Sequence, residues 1–391
     1  MPERPRILIL TPYFLPGHRA GGPILSLTGL IDQLAGDFEF RVITRDRDLG
    51  AHEPYAEITP GRWVHVRGVP TLYLAPGQLR VRSLADVLNR TPHDLLYLNS
   101  LFTYDLSILP LLLRQRGVID PTPVVMAPRG ELAPGALRVH PLKKGSYLLL
   151  ARAVGLYREV IWQASSALEA KHIRRFAKSA VLIMAPNLAP SLWGNSSALA
   201  TDEQRYPPTA GPLRLVYLSR IGRMKNLRGA LGALRSVSES IDFDVFGPIE
   251  DRRYWRLCER DIAELPSNVR VAYRGEVPLE GVMSVLARYD LFFLPTYGEN
   301  FGWAILQALG AGCPVLISDR TPWRNLEGRG AGWDLPLRDI RRFSDVLDDF
   351  ARATPEERRR HSQAARALAG EVSGDEEARR MTKELFLSSL N

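Results

Sequence analysis

Residues 291–318, LFFLPTYGENFGWAILQALGAGCPVLIS, restrict the fold more than any other part of the sequence. Residues 291–294 are four consecutive apolar side chains and read as a buried strand, which Pro295 ends. Residues 296–298 make a loop. Glu299-Asn300-Phe301-Gly302 then lead into an apolar-periodic helix expected to begin near Asn300. The helix stops at Gly310-Ala311-Gly312, and residues 314–318 form the next strand. A strand, a crossover helix and a second strand make a unit of a parallel α/β sheet. The polar residues fall at the carboxyl end of a strand, where such sheets bind ligands. The helix start supplies N–H groups and a positive dipole to an electron-rich ligand.

The same alternation runs along the chain. Residues 7–10 read as a strand, followed by the loop TPYFLPGHRAGGP and a helix from about 24 to 34. Further strands are expected at 40–44, 63–67, 71–74, 94–98, 122–126 and 181–184, with helices at 83–89 and from 108. Polar residues again follow strand ends: Asn99-Ser100, Arg129-Gly130-Glu131 and Asn187. Residues 194–212, rich in Ser, Thr, Ala, Pro and Gly, read as a linker. The pattern restarts with strands at 213–218, 243–246 and 269–273, a helix from 227, and two tail helices near 355–369 and 374–389. A chain of 391 residues is too long for one ordinary core. The expected division is a domain at 1–195, a linker at 196–212, a domain at 213–373 and a C-terminal helix at 374–391 that packs back on the first domain.

The apolar fraction of 45% and charged fraction of 24% are those of a soluble globular chain. Cys258 and Cys313 lack partners at metal-ligand spacing and fit a reducing compartment, with both thiols packed as small apolar groups. The apolar run at 7–10 is too short for a signal-peptide core, and no segment reaches the roughly 18 apolar residues of a membrane span. The net charge of +8 is uneven, because residues 1–200 carry 23 Lys+Arg against 15 Asp+Glu while residues 201–391 carry 28 of each. Residues 138–158 mix Arg138, Lys143, Lys144, Arg152 and Arg158 with Leu148, Leu149, Leu150, Val154 and Leu156. They read as an amphipathic basic helix, set either on an anionic membrane, from which high salt would release it, or against the domain core. The expected location is cytoplasmic, peripheral on the inner face of the plasma membrane. Nucleic acid is not an expected partner, since no recognisable module or interleaved aromatic face accompanies the charge. The run Arg45-Asp46-Arg47-Asp48 reads as a loop face, with an acceptor as one partner it could meet.

Two loops suit phosphate. Gly21-Gly22, just before a helix, lets backbone approach a ligand; the bland alternative is a flexible turn. Arg220 and Lys225, in the strand-to-helix loop after 218, are spaced to reach one diphosphate; the alternative is a solvated basic loop.

These features together resemble glycosyltransferase family 4, retaining nucleotide-sugar enzymes with the GT-B fold: two Rossmann-like doubly wound α/β domains facing a central cleft. The resemblance covers essentially the whole chain and is strongest over 213–335, with YRGEVP at 273–278, PTYGENFG at 295–302, GAGCPVLISD at 310–319 and TPWRNLE at 321–327. Residues 127–137 and 155–169 resemble a bacterial subgroup that builds exopolysaccharide, lipopolysaccharide and similar glycans.

The resemblance implies a nucleoside diphosphate sugar as donor and a glycan, lipid-linked or small-molecule acceptor, with no further cofactor. It places Glu299 and the N–H groups of Asn300, Phe301 and Gly302 on the donor sugar. Arg220, Lys225 and the Gly21-Gly22 backbone fall on the diphosphate, and Glu276 and Val277 near the base. No metal is expected, and the expectation is that no DxD motif is present to argue otherwise. The family pairs Glu299 with a second Glu eight positions on; here that position is Gln307. Eight helical steps would advance about 12 Å and keep both residues on one groove. Gln307 keeps one acceptor oxygen for the ribose; the bland reading makes it a surface helix position. Many members carry a His where Arg129 stands. Arg129 is no general base, so a role toward the leaving diphosphate or an anionic acceptor is implied. Glu131 becomes a candidate acceptor-side carboxylate. The alternatives are a non-catalytic nucleotide-sugar-binding scaffold and another GT-B enzyme such as a nucleotide-sugar epimerase.

Overall fold

The computed structural model describes residues 4–138, 140–190 and 211–390. Two compact units emerge, one of Met1–Ser191 with Asp375–Asn391, the other of Leu192–Gly374. The linker expected at 196–212 lies, apart from its last two residues, outside the described residues.

The first unit runs β1 (Arg6–Leu10), α1 (Gly22–Leu34), β2 (Glu39–Arg45), β3 (Trp63–Val66), β4 (Val69–Leu74), α2 (Val81–Arg90) and β5 (Leu95–Leu98). A π turn at Tyr104–Ile108 then opens α3 (Leu109–Gln115), before β6 (Val124–Met126), α4 (Pro134–Arg138), α5 (Pro141–Ala153), β7 (Val160–Ala164), α6 (Ala167–Phe176) and β8 (Val181–Met184). The strands order as β3-β4-β2-β1-β5-β6-β7-β8. Neighbours are parallel except β3, which hairpins antiparallel onto β4. Residues 7–10 are fully buried, as a central strand covered on both faces requires.

The second unit runs β9 (Leu213–Leu218), α7 (Leu227–Leu234), β10 (Ile241–Phe246), α8 (Arg252–Ala263), β11 (Val269–Gly275), α9 (Val282–Leu286) and β12 (Leu291–Leu294). It continues with α10 (Trp303–Gly310), β13 (Val315–Ser318), β14 (Gly332–Leu335), α11 (Ile340–Arg352) and α12 (Pro355–Ser373). Its sheet is all parallel, in the order β11-β10-β9-β12-β13-β14. That is the doubly wound order, and it reverses between β9 and β12.

The tail helix α13 (Glu376–Leu390) belongs to the first unit. Its Phe386 meets the rings of Phe38, Tyr97 and Phe40 at 5.2, 5.7 and 6.2 Å. Arg379 and Lys383 pair with Asp37 at 2.8 and 2.6 Å. An apolar face buried on the sheet and two ion pairs at its rim thus hold the helix there.

The elements that escaped the sequence reading are β7, β14, α4, α6, α8, α9 and α11. β7 carries Gln163, which satisfies its amide inside the core, so the strand lacks a clean apolar pattern. α8 and α11 keep narrow apolar stripes among many charges, and their Asp251 and Asp339 caps mark their starts. The helix read over 138–158 is shorter and divided: His140 takes a left-handed conformation (φ 57°), Pro141 begins α5, and α5 ends at Ala153. α1 starts at Gly22, so Gly22 is the first helical residue and only Gly21 precedes it. Among the described residues no helix is long and apolar enough to cross a membrane.

Candidate active site

The reversal of strand order in the second unit places the loops after β9 and β12 side by side. Hydrogen bonds knit them. Asn226, left-handed at φ 55°, caps α7 by accepting from the Gly229 N–H at 3.2 Å. Its amide nitrogen donates to the Pro295 carbonyl at 2.8 Å. The Tyr297 N–H and the Thr296 hydroxyl both donate to the Met224 carbonyl, at 2.9 and 3.0 Å. The Glu299 N–H donates to the Arg320 carbonyl at 3.1 Å, tying in the loop after β13.

This scaffold brings the Lys225 ammonium to 2.5 Å from a Glu299 carboxylate oxygen, with side-chain exposures of 18% and 11%. Arg220 lies in the same loop as Lys225 and pairs with Glu250 at 2.8 Å, both groups half exposed. The two cations read as diphosphate ligands therefore already hold carboxylate partners. A lysine ammonium has three donors and a guanidinium five, so one bond each does not exhaust them.

The helix after Glu299 begins later than its sequence suggested. Gly302 is its cap at φ 87°, and Trp303 its first residue. A Cβ on Gly302 would come within 2.9 Å of Ile305 and 3.1 Å of Trp323, so both conformation and space demand glycine. The Phe301 carbonyl accepts from the Trp323 indole at 2.7 Å, and the Phe301 ring packs against that of Trp303, centroids 4.5 Å apart and planes tilted by 44°. Glu299, Asn300 and Phe301 thus precede the helix, and the eight-step helical spacing from Glu299 to Gln307 does not apply. Gln307 itself is 4% exposed, which rules out a surface helix position. Glu276 and Val277 follow the edge strand β11, two strands from β9 and therefore about 10 Å along the same sheet edge. Beside them Arg274 is paired with Asp244 at 2.9 Å.

The first unit reverses strand order between β1 and β5, and Gly21, Gly22 and Arg129 follow strands at that edge. A Cβ on Gly21 would meet nothing within 4 Å, so its φ of 62° alone favours glycine. Arg129 is also left-handed, at φ 52°. Its guanidinium donates to the Asn99 side-chain oxygen at 2.6 Å, to the Tyr97 hydroxyl at 2.7 Å, and to the Asn187 side-chain amide oxygen. Tyr97, its phenol pushed up by burial, donates in turn to Gln163 at 2.5 Å. Gln163 donates to the Ala185 carbonyl at 2.8 Å. Arg129 thus fastens the carboxyl ends of β5, β6, β7 and β8 through neutral oxygens. This hub was missed in the sequence, although Asn99 and Asn187 stood out as polar residues just past strand ends.

Glu131, read as an acceptor-side carboxylate, is engaged within its own unit. Its carboxylate accepts from the Leu101 and Phe102 N–H groups at 2.5 and 3.2 Å and from Ser100 at 3.2 Å, so it holds the loop after β5. Burial raises its carboxyl above the usual range, against the pull of those donors. The Arg45–Asp48 run is also engaged. Asp48 accepts the His18 and Arg19 N–H groups at 2.9 and 3.1 Å, and Arg45 pairs with Asp105 at 2.7 Å. Contrary to the expectation that no DxD motif is present, two Asp-x-Asp triplets occur, at Asp46–Asp48 and Asp242–Asp244. Asp46 and Asp48 are bound to Arg47 and to backbone, and Asp244 to Arg274 and, at 2.7 Å, to the Tyr289 hydroxyl.

Residues 200–368 match the family model described as glycosyl transferases group 1. O-antigen chain mannosyltransferase B of Escherichia coli is 30% identical over 112 residues, a stretch that is 27% of this chain and 28% of that protein. Similar solved structures include sucrose-phosphate synthase from Thermosynechococcus elongatus, with a TM-score of 0.72 and 16% identity over 98% of this chain and 99% of the other. Anabaena HepE, solved in complex with UDP and glucose, gives a TM-score of 0.69 and 14% identity over 98% and 100% of the two chains. WaaG, a glycosyltransferase involved in lipopolysaccharide biosynthesis, gives 0.61 and 16% over 96% and 99%. The two parallel α/β units are those of the GT-B fold.

Proposed function

We propose, from a glycosyl transferases group 1 domain at residues 200–368 in a chain of GT-B fold, that the protein is a retaining glycosyltransferase of family 4. It moves a sugar from a nucleoside diphosphate donor to a glycan, lipid-linked or small-molecule acceptor in polysaccharide building. The observation that carries this reading is the meeting of Lys225 and Glu299 at the point where the second sheet reverses its strand order.

Glycosyl transfer develops charge in two places, on the departing diphosphate and on an oxocarbenium-like sugar. Catalysis requires that both be stabilised more in the transition state than before it. Lys225 and Arg220 supply cations to the diphosphate, and Glu299 supplies a carboxylate to the sugar side. The bond between the sugar C1 and the phosphate oxygen breaks and its electron pair stays on that oxygen. The acceptor oxygen bonds to C1 on the same face, and its proton passes to a leaving phosphate oxygen. The two cations fill the charge role a divalent ion would otherwise take, so we place no metal in the reaction. The working location is the cytoplasmic face of the membrane, held peripherally.

A thermal-shift panel of nucleotide sugars tests the reading, because a bound donor raises apparent stability. One donor class should shift the melting temperature and release its nucleoside diphosphate, with the product anomer matching the donor's by NMR. A shift without turnover would favour a binding scaffold; inversion, or loss of turnover with EDTA, would remove retention or metal independence.

A further inference from the structure

We infer that a cavity at the carboxyl ends of β2 and β4 holds an uncharged sugar ring of the acceptor, stacked on Tyr104. The inference rests on the transferase reading above and deepens it, giving that acceptor a chemical class and a place in the first unit.

The cavity measures about 400 Å³ and lies at the sheet edge where parallel strands take ligands. Leu74 and Leu79, both buried, give it an apolar side. Tyr104 and Asp105 reach it from the loop after β5. They open the π turn, in which the Ile108 N–H donates to the Thr103 carbonyl at 3.0 Å. Such turns are rare and gather at functional sites. Here the turn leaves the Tyr104 ring 60% exposed beside the cavity.

The polar lining is balanced. Arg45 gives Asp105 two bonds, at 3.0 and 2.7 Å, and Arg47 gives Asp46 two, at 2.8 and 3.2 Å. Two cations and two carboxylates therefore cancel. All four side chains are at least two-thirds buried, which fixes their directions. Pairing does not exhaust them. Arg45 spends a third N–H on the Tyr13 hydroxyl at 3.3 Å, and Arg47 a third on the His52 carbonyl at 2.5 Å. A guanidinium has five, so two remain on each, and each carboxylate keeps lone pairs.

A pyranose suits this lining twice over. Its hydroxyls both donate and accept, so they can meet guanidinium N–H groups and carboxylate oxygens side by side. Its C–H face is apolar and can lie on the phenol ring. A phosphate or carboxylate fits less well, since each cation is already matched and Asp46 and Asp105 would repel it. A lipid chain would strip water from four charged groups and return no hydrogen bond.

The test is saturation-transfer NMR on the full chain without donor. The probes are methyl glycosides of glucose, galactose and mannose, set against glucuronate and glucose 6-phosphate. At least one uncharged glycoside should bind at about 10 mM, and more tightly than both anions. Tyr104→Ala should weaken that binding roughly threefold to tenfold, the worth of one aromatic contact. Its melting should not change, because the ring is exposed. With donor present the same variant should raise KM for the acceptor and leave kcat nearly as it was. Asp105→Asn leaves Arg45 without its carboxylate, so preference should move toward glucuronate. No uncharged glycoside bound, tighter binding of either anion by wild type, Tyr104→Ala binding like wild type, or an unmoved preference in Asp105→Asn would each overturn the inference. Glycoside binding that Tyr104→Ala weakens, with no transfer from any donor, would instead overturn the transferase reading and leave the sugar site standing.

Discussion

The Lys225 ammonium and the Glu299 carboxylate are 2.5 Å apart although 74 residues separate them. Parallel pairing of β9 with β12, in the register Leu291 to Leu215, brings their loops together. Both side chains are largely buried, so removing either leaves the other without its partner in a shielded place. Glu299→Ala should therefore cost about 1.5–3 kcal/mol in urea unfolding, the range for a hydrogen bond to a charged group. In single-turnover assays Lys225→Ala and Glu299→Ala should each lower the rate by about 100-fold or more, the scale of removing one preorganised charge stabiliser. The double variant should be much less than the product of the two, because they act as one unit. Full additivity would show that the pair is not shared in the reaction.

Much of this site was legible. Apolar blocks ending in polar loops gave the strands, and Arg220, Lys225 and Glu299 stand where the sheet order reverses. What was not legible is pairing: no local pattern says that Lys225 meets Glu299, or that Arg220 meets Glu250, since both depend on the order of strands. The helix start was misplaced for a local reason, because Gly302 caps α10 and no side chain from 299 to 301 signals it. Arg129 stands out in the sequence as an anomaly, but its partners come from two other strand ends, those of β5 and β8, far apart in sequence.

Arg129 donates to Asn99, Asn187 and Tyr97. Arg129→Met keeps bulk but removes the three hydrogen bonds that tie Asn99, Asn187 and Tyr97 together at the sheet edge. Stability of the first unit should fall by about 1–3 kcal/mol, the cost of an unsatisfied buried group. Arg129→Lys should not restore it, because a point charge cannot reach three acceptors set around a planar fork. Urea unfolding followed by a probe in the first unit reads the difference; a lysine variant as stable as wild type would contradict the fork geometry.

Gln307, 4% exposed, separates packing from recognition. Gln307→Leu keeps the volume and removes the amide, so melting should change little. If the amide serves the donor ribose, KM for the donor should rise roughly threefold to tenfold, the worth of one hydrogen bond. Gln307→Glu would place a carboxyl in the same buried setting, and melting should fall as pH rises and the group is forced to ionise. An unchanged donor KM in Gln307→Leu would return the residue to a packing role.

Glu131 makes stability depend on pH in a definite direction. Its carboxyl is raised by burial, so the folded chain holds that proton more tightly than the unfolded chain. The group's contribution to stability is therefore fully present below the ordinary glutamate value of about 4.3. It declines as pH rises from there through the raised folded value, and is constant above it. Gln has no proton to lose, so the difference in melting temperature between wild type and Glu131→Gln should shift against wild type across that window. Glu131→Ala should fall further at every pH, since the Leu101 and Phe102 N–H groups then lose their acceptor. Parallel pH profiles for wild type and Glu131→Gln would show that the carboxyl titrates alike in both states.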